Sequence, residues 1–192
     1  DGTTSLAGLS FSRDASLVAY SISEGGADWR KVIVMDTETK KVIGDTIQNI
    51  KFSGVSWKSN DGFYYSSYQP PQGSKLSSKT DKHMRYYHKL GTKQNQDKII
   101  FGSIPSEKNR YVSGRVTEDD RYLIISASIK TTGNKLFIKD LKKNSNLKVI
   151  NPDYESNTYL LDNNGSELFL VTDHNAPNRR IVKTDYKNPT KD

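Results

Sequence analysis

The sequence contains no cysteine, very little methionine or tryptophan, and no long hydrophobic run. The absence of cysteine excludes disulfides, thiol catalysis and cysteine-ligated zinc. Apolar residues make up 33% of the 192 positions and occur in short bursts, whereas a membrane-spanning helix needs roughly 20 in a row. We therefore expect a chain with a real core and no membrane partner.

Metal-ligand patterns and leader segments are also missing. The three histidines, His83, His88 and His174, are not spaced as metal ligands, so we expect no metal or other cofactor. No charged and apolar leader opens the chain, which starts with Asp1 rather than methionine. We expect a fragment or a processed piece of a longer protein.

Catalytic motifs are absent as well. The string nearest to a G-x-S-x-G nucleophile elbow, GVSW at 54–57, lacks the second glycine. The adjacent carboxylates Asp119 and Asp120 occupy a position typical of a turn, whereas acid–base catalysis needs two carboxylates that converge from different elements. The sequence by itself predicts no catalytic site.

The charge is basic but unevenly distributed. The net charge is +7, and the segment from Lys75 to Lys98 holds seven basic and two acidic residues. Because Tyr86 and Tyr87 lie in this segment, a nucleic-acid surface with stacking aromatics is one interpretation. We favour a solvated loop and hairpin, because no nucleic-acid motif accompanies the charge, and we expect no nucleic-acid partner.

A fourfold repeat is the strongest pattern in the chain. Each copy has an opening apolar residue, a polar turn rich in Asp, Asn, Gly and Ser, and a short apolar run that ends in Ser or Thr. The copies read FSRDASLVAYS from Phe11, WKSNDGFYYSS from Trp57, VTEDDRYLIIS from Val116 and LDNNGSELFLVT from Leu161. Unbroken runs of this length predict strands that are covered on both faces.

The spacing of the copies predicts the architecture. They begin 46, 59 and 45 residues apart, and the second is lengthened by the loop from Gln69 to His83, which we interpret as an insertion at a hairpin tip. A period near 45 with several strands in each unit is typical of a β-propeller. We predict an all-β chain of about four blades, each a four-stranded antiparallel sheet, in units at approximately 1–48, 49–107, 108–152 and 153–192.

Two alternatives remain open on the repeat alone. A β-sandwich would also contain many short strands, although the regular distance of 24 or 25 residues from opening residue to closing Asp in three copies favours the propeller. A propeller of this length is either a closed four-bladed ring or an arc of a larger ring.

Several strings are more specific than the repeat requires. They are GGADWRK (25–31), NIKFSGVSW (49–57), FYYSSY (63–68), MRYYHKLGTKQNQDKIIFG (84–102), VTEDDRYLIIS (116–126) and NAPNRRIVKTDYKNP (175–189). In order and spacing the chain resembles the prolyl oligopeptidase (prolyl endopeptidase) family, and especially its bacterial members. The resemblance implies a serine peptidase that hydrolyses short peptides after proline and pairs an α/β-hydrolase domain, which bears a Ser-Asp-His triad, with a seven-bladed propeller.

The resemblance extends only over the middle blades of that propeller. The catalytic α/β-hydrolase domain is absent from the chain, so no triad residue can be assigned, and we expect the chain itself to be non-catalytic. It implies a substrate-gating portion of the peptidase, whose partners are the hydrolase domain of the same parent chain and short proline-containing peptides. A free-standing β-propeller interaction module is the alternative, and the cytoplasm and the periplasm both remain possible locations.

Four non-catalytic positions match the family. Phe52, in KFSG, matches an aromatic residue that lines a substrate pocket, and Val112 matches a second apolar pocket position. Ile129 lies near a third, in a loop that is one residue shorter here. Asp28, in the DW string, matches an acidic residue that pairs with a substrate-binding arginine of the hydrolase domain. From the residues alone, Phe52 could equally be a core aromatic and Asp28 a capping or turn residue.

The predicted arc of blades also leads to an expectation about self-association. An arc of blades leaves apolar sheet faces uncovered at its two ends, and exposed apolar faces tend to bind partners. We expect self-association through these open blade faces.

Overall fold

The computed structural model describes residues 2–69, 80, 82–106 and 108–192, and strands dominate this part of the chain. Most of the loop from Gln69 to His83 lies outside the described residues. The strands are β1 (Thr4–Phe11), β2 (Leu17–Glu24), β3 (Arg30–Asp36), β4 (Val42–Ile50), β5 (Ser56–Lys58), β6 (Gly62–Ser67), β7 (Met84–Lys89), β8 (Lys98–Phe101), β9 (Tyr111–Val116), β10 (Tyr122–Ser128), β11 (Lys135–Asp140), β12 (Lys148–Asn151), β13 (Thr158–Asn164), β14 (Glu167–Thr172) and β15 (Arg180–Asp185). A single turn of 3-10 helix, Gln94–Gln96, precedes β8. Within the described ranges, no helix is long and apolar enough to cross a membrane.

Consecutive strands form four antiparallel sheets. Sheet I contains β1–β4, sheet II β5–β8, sheet III β9–β12 and sheet IV β13–β15. Sheet IV therefore has three strands where the repeat predicts four, and a single bridge pairs Asp185 with Asn188 after β15. Sheets II, III and IV lie within the predicted units, and β4 ends at Ile50, beyond the predicted limit at 48.

The chain divides into two compact units, Asp1–Asn109 and Arg110–Asp192. In the first unit, sheets I and II share a core in which the apolar run of β2 meets the aromatic run of β6. Its buried members are Leu17, Ala19, Val32, Val34, Ile47, Ile50, Trp57, Phe63 and Tyr65. The middle strands β2, β3 and β6 thus supply most of this core, and the outer strands β4 and β5 supply the rest.

The second unit repeats this arrangement with sheets III and IV. Its core consists of Tyr122, Ile124, Leu136, Ile138, Ile150, Leu160, Leu168, Leu170 and Tyr186. The Tyr122 ring lies 5.0 Å from the Tyr186 ring, and its hydroxyl donates to the Gly165 carbonyl at 3.1 Å. The apolar run of the third copy and the segment that follows β15 in the fourth copy are therefore packed together.

The polar turn of the repeat has a defined role in the first and third copies. Asp14 accepts hydrogen bonds from Ser12 and Ser16, and its other oxygen accepts from the Asn60 side chain at 2.7 Å. Asp119 accepts from Thr117 at 2.6 Å and from Asn163 at 2.9 Å. In each case the carboxylate closes its own turn and receives an amide from the neighbouring sheet.

The carboxylate of Asp119 is therefore a turn acceptor. Burial alone raises its pKa, but hydrogen bonds from the Thr117 and Asn163 side chains and the Arg121 amide bring the pKa below its ordinary value overall. The geometry agrees with the turn interpretation of the Asp119-Asp120 pair.

Side-chain amides also join neighbouring sheets. Each one pairs with both the backbone amide and the backbone carbonyl of a single residue, as a residue of an adjacent strand would. In the first unit the Gln94 side chain accepts from the Gln48 amide and donates to the Gln48 carbonyl, both at 2.9 Å. In the second unit, Asn134 accepts from the Thr158 amide at 2.8 Å and donates to the Thr158 carbonyl at 2.9 Å. Both pairs satisfy backbone groups that would otherwise need water.

Candidate functional site

Phe52, in the segment between β4 and β5, has an unusual backbone conformation and an exposed side chain. β4 ends at Ile50, which is 1% exposed. Phe52 follows with φ +52°, a backbone conformation that bulky residues rarely adopt. Its side chain is 50% exposed. Phe52 is thus not a core aromatic, and such strained positions often mark functional sites.

The Phe52 ring packs against Tyr68, which also contacts two further rings. Tyr68 meets it edge to face at 6.3 Å between ring centroids, and meets Trp29 in the same way at 6.4 Å. The Tyr68 ring also stacks on His83 at 4.4 Å. Edge-to-face and stacked pairs of this kind are stabilising beyond simple burial. They hold Phe52 on a rigid aromatic base, although its own side chain is half exposed.

A charged pair lies on the other side of this cluster. The Lys51 ammonium is 3.4 Å from an Asp28 carboxylate oxygen, and Asp28 lies in the hairpin between β2 and β3. The Asp28 side chain is 69% exposed and the Lys51 side chain 13%. Asp28 is therefore well placed to receive a further cationic partner from the solvent side.

Burial keeps the neighbouring histidine neutral. His83 is 1% exposed, and desolvation lowers its pKa to about 4 against the opposing effect of a hydrogen bond with the Lys51 carbonyl. His83 Nε2 lies 3.0 Å from that carbonyl oxygen, so Nε2 carries the proton and donates. The backbone immediately before Phe52 is thereby fixed.

We name these six side chains the Phe52 cluster: Asp28, Trp29, Lys51, Phe52, Tyr68 and His83. The sequence predicted roles for Asp28 and Phe52 only. Trp29 and Lys51 are their direct neighbours in the DW and KF strings, a signal that could have identified them. Tyr68 and His83 are brought in by pairing of β6 with β7, which places Ser67 opposite Met84.

The two other predicted positions lie in the second unit. Val112 is in β9, opposite Ala127 of β10, and is 1% exposed. Ile129 directly follows β10 and is 41% exposed. The two residues are therefore on adjacent segments, one buried and one accessible, and their substrate contacts remain predictions.

The basic segment does not form a continuous charged surface in the described residues. Lys75 and Lys79 lie outside them. Arg85 is 1% exposed, and desolvation lowers its pKa to about 9. The Tyr86 ring stacks on Tyr65 of β6 at 5.3 Å, and the Tyr87 ring lies tilted against Tyr64 of β6 at 4.9 Å. The two rings therefore pack within sheet II, and the buried Arg85 is an exception to the predicted solvated hairpin.

A second cluster of titratable groups ties sheet II together. Asp97 accepts from the Tyr65 hydroxyl at 2.7 Å, and its other oxygen lies 2.8 Å from His88 Nδ1. Burial, and then the bond to Asp97, raises the pKa of Tyr65 far above its ordinary value. A cavity of about 580 Å³ lies beside these side chains. In the described part of the chain, no three His, Asp or Glu side chains are grouped so as to hold a metal ion.

Comparisons with known proteins agree with this geometry. The chain is 57% identical over 189 residues to a prolyl endopeptidase of Elizabethkingia miricola and 52% identical over 189 residues to one of Elizabethkingia meningoseptica. Each match covers 98% of this chain and 27% of the relative. The chain therefore spans about a quarter of the length of these relatives.

Solved structures show the same fold. A prolyl endopeptidase structure superimposes with a TM-score of 0.87 at 28% identity, over 97% of this chain and 27% of that one. Prolyl oligopeptidase B of Galerina marginata superimposes with a TM-score of 0.86 at 23% identity, over 98% of this chain and 28% of that one. These matches confirm the predicted propeller architecture.

The family model described as the prolyl oligopeptidase N-terminal β-propeller domain matches residues 1–192. The repeat, the four sheets of consecutive strands and the matches to prolyl endopeptidases lead to one assignment. The chain belongs to the prolyl oligopeptidase family and is part of its N-terminal β-propeller domain.

Proposed function

We propose that this chain is the substrate-gating propeller portion of a serine-type prolyl endopeptidase that hydrolyses short peptides after proline. The bond-breaking residues lie in an α/β-hydrolase domain elsewhere in the parent chain, where a serine attacks with histidine as its base. The propeller supplies apolar contacts to the peptide and limits access to small or unfolded substrates. The observation that carries the proposal is the half-exposed Phe52 ring, held at positive φ by an aromatic base.

The individual site residues have distinct proposed roles. Phe52 contacts an apolar side chain of the peptide, and Ile129, which is 41% exposed, is a second proposed contact. Val112 is proposed to support the peptide-binding surface from beneath, because its side chain is only 1% exposed. Asp28 pairs with an arginine of the hydrolase domain, and its 69% exposed side chain supports this role. Burial of an aromatic ring against substrate contributes about 1.5–3 kcal/mol, which is enough to determine peptide affinity.

A chimaeric enzyme tests the proposal. We expect the prolyl endopeptidase of Elizabethkingia miricola, with its matching segment replaced by residues 1–192 of this chain, to cleave a short proline-containing peptide. Because 57% of the aligned residues are identical, its kcat/KM is expected to stay within about tenfold of that of the unaltered enzyme, a free-energy change of about 1.4 kcal/mol. A free-standing interaction module would instead give a folded chimaera without cleavage.

We also propose that the chain by itself associates through sheet I. Leu6, Leu9 and Phe11 of β1 are 61%, 58% and 56% exposed. Their strand partners in β2 are Ile22, Tyr20 and Val18, so the three side chains lie on one face. In the parent chain another blade would cover this face, and in the isolated chain a second copy would do so.

Sedimentation velocity checks this assembly. The 192-residue chain is expected to form dimers at tens of micromolar concentration, and the double variant Leu9→Ser, Phe11→Ser to shift to monomer because it removes apolar surface. Ile104→Ser, at a residue that is 54% exposed but outside sheet I, is the matched control. If the unsubstituted 192-residue chain remains monomeric over the whole concentration range, the proposal is wrong.

A further inference from the structure

The Lys51 ammonium lies between the two residues to which the proposed function assigns different tasks. It is 3.4 Å from Asp28 Oδ2 and 5.1 Å from the centroid of the Phe52 ring. The Trp29 ring centroid is 5.3 Å away. An ammonium within about 6 Å of a ring centroid is attracted by the face of the ring. The single charge of Lys51 is therefore shared between a carboxylate and two aromatic rings.

The backbone of Lys51 is fixed, whereas its ammonium has two kinds of partner. The carbonyl accepts from the buried His83 ring at 3.0 Å, and His83 stacks on Tyr68, which meets Phe52. The Lys51 side chain is only 13% exposed, so its aliphatic stem is held against the protein while the charge reaches outward. Small movements of the ammonium can redistribute the attraction without moving the main chain.

The exposure of the two charged groups is unequal. Asp28 is 69% exposed and Lys51 is 13% exposed. A cation that approaches from solvent therefore reaches the carboxylate first and competes with Lys51 for it. When Asp28 is occupied by that cation, the Trp29 and Phe52 rings become the main partners of the Lys51 ammonium.

We propose that Lys51 is a positioning residue that couples the occupancy of Asp28 to the placement of the Phe52 ring. An arginine of the catalytic domain that binds Asp28 releases the Lys51 ammonium towards Phe52, which fixes the ring for the peptide. Domain docking and peptide binding thus reinforce one another through one side chain. This inference rests on the proposed roles of Asp28 and Phe52.

A double-mutant cycle in the chimaeric enzyme tests the coupling. Asp28→Asn and Phe52→Leu are made singly and together, and KM and kcat are measured with a short proline-containing peptide. With Lys51 present, Asp28→Asn is expected to change KM by one factor when Phe52 is intact and by a factor about fivefold different when Phe52 is leucine. Non-additive effects of this size are usual for side chains that share a partner. In the Lys51→Met background, the two effects on KM are expected to be additive within about twofold, with kcat little changed.

Further variants of Lys51 distinguish the effect of its charge from the effect of its side-chain packing. Lys51→Arg retains the cation and should restore the coupling, whereas Lys51→Gln, a second neutral variant, should abolish it as Lys51→Met does. Lys58→Met is the matched control, because Lys58 also lies over a ring, that of Tyr87 at 5.6 Å, and should leave the coupling unchanged. Coupling that persists in both neutral variants overturns the inference.

Failure of the proposed function gives a different result. If Asp28→Asn and Phe52→Leu each leave KM unchanged in an active chimaera, the proposed roles of these two residues are wrong, and the coupling inference falls with them. If both single variants raise KM but their effects remain additive with Lys51 present, only the coupling inference is wrong.

Discussion

Replacement of Asn134 by alanine is expected to lower the free energy of unfolding by about 3 kcal/mol, because it leaves buried backbone groups without partners. The Asn134 side chain pairs with both the amide and the carbonyl of Thr158 and donates to Ser126 Oγ at 3.0 Å. Asn134 is 1% exposed and Thr158 is fully buried. Water cannot easily replace these bonds, so sheets III and IV lose one of their shared polar contacts.

Urea unfolding of the 192-residue chain, with equilibrium checked in both directions, measures this effect. Asn178→Ala is the matched control, because Asn178 is exposed in the loop before β15 and surface substitutions usually change stability by no more than about 0.5 kcal/mol. A loss for Asn134→Ala no larger than the loss for the control would show that the Asn134 amide does not join the two sheets.

Replacement of Phe52 by alanine is expected to lower kcat/KM of the chimaeric enzyme for a short proline-containing peptide about thirtyfold. The physical reason is the loss of apolar contact between a half-exposed aromatic ring and the substrate, worth about 2 kcal/mol. Because alanine keeps a Cβ at φ +52°, backbone strain is similar in both proteins, and stability should change little. The loss should appear mainly in KM, since Phe52 contacts substrate and not the reacting atoms.

The same substitution at a different exposed residue serves as the control. Lys143 is exposed in the turn between β11 and β12, and Lys143→Ala is expected to leave kcat/KM unchanged. If Phe52→Ala and the unaltered chimaera have the same kcat/KM, Phe52 does not contact the peptide. A loss confined to kcat would indicate a role other than peptide contact.

The sequence was sufficient to predict the strands and their order because those features have local causes. The apolar runs of β2, β6, β10 and β14 are short and nearly unbroken, and the polar turns before them contain the residues that tight turns require. Asp14 and Asp119 behave as turn acceptors, which their position in the repeat indicates. These features depend on neighbours within a few residues.

The contacts between sheets could not be predicted in the same way. Gln94 and Asn134 look like ordinary polar residues in the sequence, and their bonds to Gln48 and Thr158 depend on how neighbouring sheets are placed.

The candidate site was predicted only in part. The KFSG and DW strings identified Phe52 and Asp28 through their resemblance to a family. The KF string places Lys51 next to Phe52, but it did not indicate that the Lys51 ammonium would also reach Asp28, because a lysine beside a phenylalanine is ordinarily solvated. The contribution of Tyr68 and His83 depends on the pairing of β6 with β7.

Photo-crosslinking shows whether the Phe52 cluster contacts the peptide. Phe52 is replaced by p-benzoylphenylalanine in the chimaeric enzyme, and a labelled proline-containing peptide is bound and irradiated, with Lys143, which is exposed in the turn between β11 and β12, replaced in the same way as the control. We expect labelling at position 52 that excess unlabelled peptide suppresses, and none at position 143. Equal labelling at both positions, or none at position 52 in an enzyme that still binds peptide, would show that the Phe52 cluster does not contact the peptide.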